Sequence, residues 1–208
     1  MGTATKILIG FIALAVIAGL LAMSSYNRIV SLQQATDAQW AQVQNVYQRR
    51  ADLVPNLVNT VAGAANFEKS TLEDVTNARA SVGRVQLPSG TAPTDPAQLA
   101  AFQQAQGQLG SALSRLLVVS EQYPDLKATA NFRDLQAQLE GTENRIAVER
   151  GHFNEAVYGY DAAIRRFPAV LFAEMLHFTS RPYFAATAGS DTPPKVQFDF
   201  NNAAPAKP

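Results

Sequence analysis

Seventeen consecutive residues, Ile7 to Met23, carry no polar side chain, and no later stretch of the chain resembles them. A helix that is apolar on every side needs hydrocarbon or a deep core around it. At about 1.5 Å per residue the run covers roughly 25 Å, and letting Ser24 to Tyr26 enter the interface brings it close to the 30 Å core of a bilayer. Ile7, Phe11, Leu14, Ile17 and Leu21 mark the expected span, about residues 7–25, within an anchor of residues 1–25. A cleaved secretory signal is the competing reading, with Ala22-Met23-Ser24 as a poor processing site. The run is longer than the usual signal core of about 7 to 15 residues, and a helical pattern continues straight out of it. An uncleaved, single-pass anchor is therefore expected. Lys6 and the amino terminus oppose Arg28 across the span, while Arg49 and Arg50 lie beyond the reach of the positive-inside rule. The near-flank count points to a cytoplasmic amino terminus.

Beyond the anchor, Tyr26, Ile29, Gln33, Thr36, Trp40, Val43, Tyr47, Arg50, Val54, Leu57 and Val61 step alternately by three and four. That spacing predicts one helix face packed against a partner, running to about Ala62 without a turn after the anchor. A second such seam joins Phe132, Leu135, Leu139, Thr142, Ile146, Glu149 or Arg150, Phe153, Val157, Tyr160, Ile164 and Phe167. Pro124 and Asp125 suit the first turn of its helix, and Pro168 should end it. Two shorter amphipathic pieces, about 67–85 and 96–122, lie between, joined by the loop "QLPSGTAPTDP". Period-two alternation is nearly absent until "KVQFDF". The expected fold class is all-α, an elongated antiparallel four-helix bundle over residues 26–168 continuing from the membrane helix, with an extended tail at 169–208.

Two residues of the first helix break the pattern. Arg50 falls on the apolar seam, and a buried charge without a partner costs several kcal/mol. Glu140, Glu143 and Glu149 of the last helix are its expected partners, in a polar layer that would fix helix register. Pro55 lacks the N–H that would bond Ala51 and should kink the rod. The plainer alternative has Arg49 and Arg50 reaching a solvated edge and Pro55 merely tolerated.

Little chemistry is available. With no cysteine in 208 residues, thiolate nucleophiles, thiolate zinc sites, disulfides and a lipid-attachment cysteine are all excluded. Seventeen basic residues balance seventeen acidic ones and are scattered, which argues against nucleic acid as a partner. No Gly-x-Ser-x-Gly elbow and no phosphate-cradling glycine loop occurs. The sharpest candidate is a pair of Glu-x-x-His units, Glu149 with His152 and Glu174 with His177, using both histidines of the chain. Paired units of this kind hold carboxylate-bridged metals in helical bundles. Against that, the second unit lies past Pro168, and Glu68, Glu73, Glu121, Glu140 and Glu143 show no matching seam placement for extra ligands. Solvated histidines are the plainer reading, and no metal or cofactor is expected. Trp40 and the seam tyrosines fit core packing. The tail, with Tyr183, Phe184, Phe198 and Phe200 among prolines, should dock on its own bundle; a strand-like partner motif at "KVQFDF" is the alternative, and "NNAAPAKP" should be disordered.

Taken in order, the apolar leader, "YNRIVSLQQATDAQWAQVQNVYQRRADLVPNLVNTV", "FEKSTLEDVTNARA", "YPDLKA", "QLEGTENRIAVERGHFNEAVYGYDAAIRRFP" and "RPYF" closely resemble the bacterial LemA family over nearly the whole chain. His152 and Phe153 depart from the more basic or tyrosine-bearing appearance of many relatives. The resemblance implies a membrane-anchored protein of the bacterial cell envelope with a soluble helical domain and no accepted catalytic residues. The expected function is thus a non-catalytic scaffold at the inner membrane, contacting lipid and either its own copies or another envelope protein. A metal-dependent enzyme built on the Glu-x-x-His pairs is the alternative. A transmembrane sensor would need an output domain that the sequence lacks.

Overall fold

The computed structural model describes residues 2–63, 67–85, 87–88 and 90–185, so "KVQFDF" and "NNAAPAKP" lie outside the described residues. Among those described, the fold is all-α: α1 (Thr3–Ala62), α2 (Lys69–Arg84), α3 (Pro96–Ser120), α4 (Pro124–Ala128), α5 (Ala130–Ile164) and a 3-10 turn at Ala169–Leu171. The apolar leader and the first seam share one helix of 60 residues, about 90 Å long. Its first part touches nothing: Phe11 is 69% exposed and Leu14 65%. From Ile29 onward the same helix buries Thr36, Trp40, Val43, Tyr47, Arg50, Val54, Leu57 and Val61. A composition shift at about residue 25 therefore divides one continuous helix into a lipid-compatible half and a core-forming half.

The packing runs antiparallel between α1 and α5. Ile29 shares a cluster with Tyr160 and Ile164, and Trp40 lies 5.4 Å from the Phe153 ring. Further along, Arg50 meets Glu143, and Leu57 shares a cluster with Phe132 and Leu139. Helix α3 runs alongside in the same direction as α1, with Phe102 against Trp40 and Tyr47 and Leu116 in the far cluster with Leu57. Helix α2 packs against both α1 and α3.

Helix starts follow local chemistry. Asp95 accepts a hydrogen bond from the Ala97 N–H at 2.8 Å, and Pro96 fills a position where a missing donor costs nothing. The single last helix expected from Pro124 is instead two. Pro124 and Asp125 open only the five-residue α4, after which Thr129 turns extended and caps α5 by accepting from the Phe132 N–H. The seam also ends earlier than its spacing suggests. Helix α5 stops at Ile164, and Phe167 is 78% exposed because the chain has already left the helix.

Pro55 has a partner across the helix interface. Lacking an N–H, it frees the Ala51 carbonyl, which accepts a hydrogen bond from Arg79 Nε of α2 at 3.0 Å. The helix runs on through Pro55 to Ala62. A proline is worth about 3 kcal/mol less than alanine inside a helix, so the exchange is partial compensation. Pro55→Ala should stabilise the body, and Arg79→Ala should destabilise it by about 0.5–1 kcal/mol only while Pro55 is present. A double-mutant cycle on Tm, followed by circular dichroism of the full chain in detergent, reads the coupling; additive effects would show that the freed carbonyl contributes nothing.

Candidate functional site

The buried charge on α1 is the centre of the most polar region inside the body. Arg50 is 3% exposed, and its Nη1 donates to Glu143 of α5 at 2.9 Å. Its Nη2 donates to the Gln106 carbonyl of α3 at 3.1 Å and to the Gln106 side-chain oxygen. The guanidinium also lies 5.0 Å from the centre of the Tyr47 ring, a favourable cation–π distance. Arg50 Nε is buried without a hydrogen bond among the described residues. Three helices thus converge on one cation. Glu140 instead accepts from Gln136, and Glu149 faces Arg145 at 3.9 Å and His152 at 3.6 Å, so neither carboxylate joins Arg50. Helical spacing explains the selection, since Glu143 adjoins the buried Thr142 while Glu140 and Glu149 lie about a turn or more away along α5.

An open cavity of about 510 Å³ adjoins this layer, lined in part by Tyr47, Arg50, Gln103, Gln106, Glu143 and Arg150. Its polar atoms can hydrogen-bond a small ligand. Among the described residues that line it, Tyr47 and Glu143 are the groups with acid–base chemistry, and no histidine, serine or threonine accompanies them. Burial pushes the Tyr47 phenol above its ordinary value, against the downward pull of Arg150 and Arg50.

A second polar node, which sequence spacing does not reveal, holds the chain after α5 against the body. Arg181 is 6% exposed; its N–H donates to Asp161 at 3.1 Å and its Nη1 donates to the Ala92 carbonyl. Asp37 of α1 accepts from the Ala92 N–H at 2.9 Å, so the loop before α3 is fixed from both sides. Three residues on, Asn154 pairs with the Phe184 backbone in both directions, at 2.9 Å and 3.0 Å. Phe184 itself is buried against Trp40 and Phe153, and Arg150 lies 4.8 Å from its ring centre while donating to the Ala185 carbonyl. The "RPYF" stretch is thereby locked in place. The aromatic residues predict docking of this part of the tail, but the polar partners of Arg181 are not legible in the sequence, because they come from 20 to 89 residues away.

The two Glu-x-x-His units do not meet. His152 adjoins Phe153 at the level of Trp40, whereas His177 adjoins Phe178 at the level of Tyr26. Fourteen residues of α1 separate those levels, about 20 Å of rise. Glu174 and His177 sit in a turn, where the His177 N–H donates to the Glu174 carbonyl, so helical i, i+3 projection does not apply to them. Among the described residues no group of three or more His, Asp or Glu side chains is gathered closely enough to hold a metal ion.

A family model described as the LemA family matches residues 39–198. Relatives include two magnetosome proteins, MamQ 1 and MamQ 2 of Paramagnetospirillum magneticum, each 29% identical with 81% of this chain and 67% of the relative covered. Protein LemA of Metamycoplasma hominis is 23% identical, with 70% of this chain and 62% of that protein covered.

The polar layer sets expected stabilities. Glu143→Gln keeps an acceptor for Arg50 and should cost about 1 kcal/mol. Glu143→Leu should cost about 2 kcal/mol, below the roughly 3–5 kcal/mol of stripping a buried charge of every partner, because both Gln106 oxygens still accept from Arg50. Arg50→Ala should cost more than either, and urea unfolding of the full chain ranks the three. Tyr47 supplies a pH limb of its own. Its pKa is raised on folding, so its contribution is complete below the unfolded value near 10 and is lost as pH climbs through the folded value. Stability of the wild-type chain should fall above pH 10, and Tyr47→Phe should flatten that fall.

Proposed function

The chain belongs to the LemA family, and on that premise we propose that it is a non-catalytic scaffold of the bacterial envelope. A single-pass helix holds it in the inner membrane, and the helical body projects from the bilayer to contact its own copies or another envelope protein. The observation that carries this reading is the continuity of α1. An 18-residue window within it is fully exposed and apolar enough to cross a membrane, and without a break the same helix supplies the core seam. A rigid stalk joined directly to a packed body suits holding and spacing a surface more than it suits chemistry. The interior polarity supports the same view, because Arg50, Glu143, Gln106, Arg181 and Asp161 bond to one another or to backbone groups within the body. Lys6 against Arg28 favours a cytoplasmic amino terminus and hence a body outside the cytoplasm.

Protease added to intact spheroplasts should digest the body, leaving a membrane-protected fragment from the start of α1. Protection of the body until the membrane is permeabilised would reverse the orientation. Elemental analysis of the purified full chain should find no stoichiometric iron, manganese or zinc. A metal present in the wild type and lost in the His152→Ala, His177→Ala double variant would overturn the non-catalytic reading.

A further inference from the structure

The segment after α5 exposes most of its large apolar side chains. Between Phe167 and Phe178 the chain folds into a compact series of turns, with Val170 donating to the Arg166 carbonyl, Ala173 to Ala169, Leu176 to Phe172 and Phe178 to Ala173. The side chains that this loop buries fully are small, Ala169 and Ala173, packed with Ile29 and Ile164, while Phe172 and Phe178 lie half-buried against the same cluster. Its other large apolar side chains are exposed, Phe167 by 78%, Leu171 by 72% and Met175 by 74%, with Val170 and Leu176 exposed as well. Five large apolar side chains exposed within ten residues of sequence are unusual on a surface that meets only water, and such a concentration marks a surface that something apolar covers.

The position of the loop says what covers it. The Phe178 ring meets that of Tyr26 at a tilt of 57°, with ring centres 5.8 Å apart. Tyr26 stands three residues beyond Met23, the last residue of the unbroken apolar run, a rise of about 4.5 Å. The loop therefore lies within about one helical turn of the level at which α1 leaves the hydrocarbon. Exposed basic side chains ring it, Arg28 on α1 and Arg165 and Arg166 just before it, against the exposed carboxylate of Glu174. Large apolar side chains at the tip, an aromatic pair at the boundary and arginines behind are the arrangement of a protein surface that dips into the headgroup and upper acyl region.

We infer that the 167–178 loop is a second membrane contact, inserting Phe167, Leu171 and Met175 into the interface of the leaflet from which α1 emerges. This rests on the reading of α1 as a membrane span, and the test separates the two. The chain has no native cysteine, so single Leu171→Cys, Met175→Cys, Leu14→Cys and Val118→Cys variants of the full chain each take one bimane label. Val118 is an exposed apolar residue on α3, near the far end of the body. The labelled proteins are reconstituted into phosphatidylcholine–phosphatidylglycerol vesicles carrying nitroxide lipids, with the spin label either in the headgroup or deep in the acyl chain. Labels at 171 and 175 should emit at shorter wavelength than the label at 118 and lose intensity to the headgroup nitroxide, while the label at 14 loses intensity to the deep one. Labels at 171 and 175 that behave like the one at 118, with 14 still quenched, overturn the interfacial contact and leave the anchor standing. Blue-shifted but unquenched labels at 171 and 175 mean that a second copy covers the loop, which also overturns it. An unquenched label at 14 overturns the anchor itself.

Discussion

A guanidinium that cannot reach water has to be satisfied by protein, and Arg50 draws that satisfaction from two other helices at once. The apolar seams of α1 and α5 are built from Val, Leu, Ile and aromatic residues that would tolerate sliding by a turn, because one hydrophobic contact replaces another at modest cost. The charge tolerates only a slide that returns a carboxylate to it. Moving α5 so that Leu139 or Ile146 took the place of Glu143 would leave the desolvated cation with Gln106 alone, whereas a slide that brought Glu140 there would keep an acidic partner. Gln106 adds the same condition on α3, through both its backbone and side-chain oxygens. The hydrogen bonds of Arg50 thus tie three helices together at one level, while the seams supply the bulk of the burial.

Asp37 and Arg50 divide α1 into levels about 20 Å apart, and the two polar nodes flank an aromatic core between them. Trp40, Phe102, Phe153 and Phe184 fill that middle level, with ring centres 5.4–6.0 Å from Trp40. One of the four rings comes from the chain after α5. Because Asn154 fixes the Phe184 backbone and Asp161 fixes that of Arg181, the extended segment 181–185 completes the core in place of another helix. Arg181 in turn holds the loop before α3 through Ala92, so the connections close on each other.

Much of this was legible because it is periodic. The three-four spacing of α1 named nine of the eleven seam positions that prove buried, and it placed Arg50 among them. Tyr26 and Gln33 are the exceptions, at the membrane end where the last turns of α5 and the 167–178 loop are what α1 packs against. Features that depend on a single residue's competing options were harder to read. Pro124 and Thr129 are both good helix starters only five residues apart, and spacing alone cannot say that each opens its own helix. Phe167 continues the seam on paper because a periodic pattern carries no mark of where the backbone departs from the helix. Asp161 and Arg181 were unreadable for a different reason: their burial depends on a fold-back of 20 residues that leaves no trace in local composition.

A lone transmembrane helix fixes depth but leaves a protein free to rotate about its own axis and to tilt, since lipid exerts little torque on a cylinder. Helix α1 continues without a joint from Thr3 to Ala62, so every such rotation would carry the whole body with it. Tilting of the rod would likewise change which face of the body is turned toward the bilayer. An interfacial contact at Leu171 and Met175 stands to one side of the α1 axis, on the chain leaving α5. That offset converts a swivel into a two-point attachment: the bilayer plane then limits the tilt of the rod and holds the same face of the body toward the membrane. Ala169, Ala173 and the half-buried Phe172 and Phe178 seat the loop on the body, and the exposed Phe167, Leu171 and Met175 are what such an attachment requires on the side of the hydrocarbon.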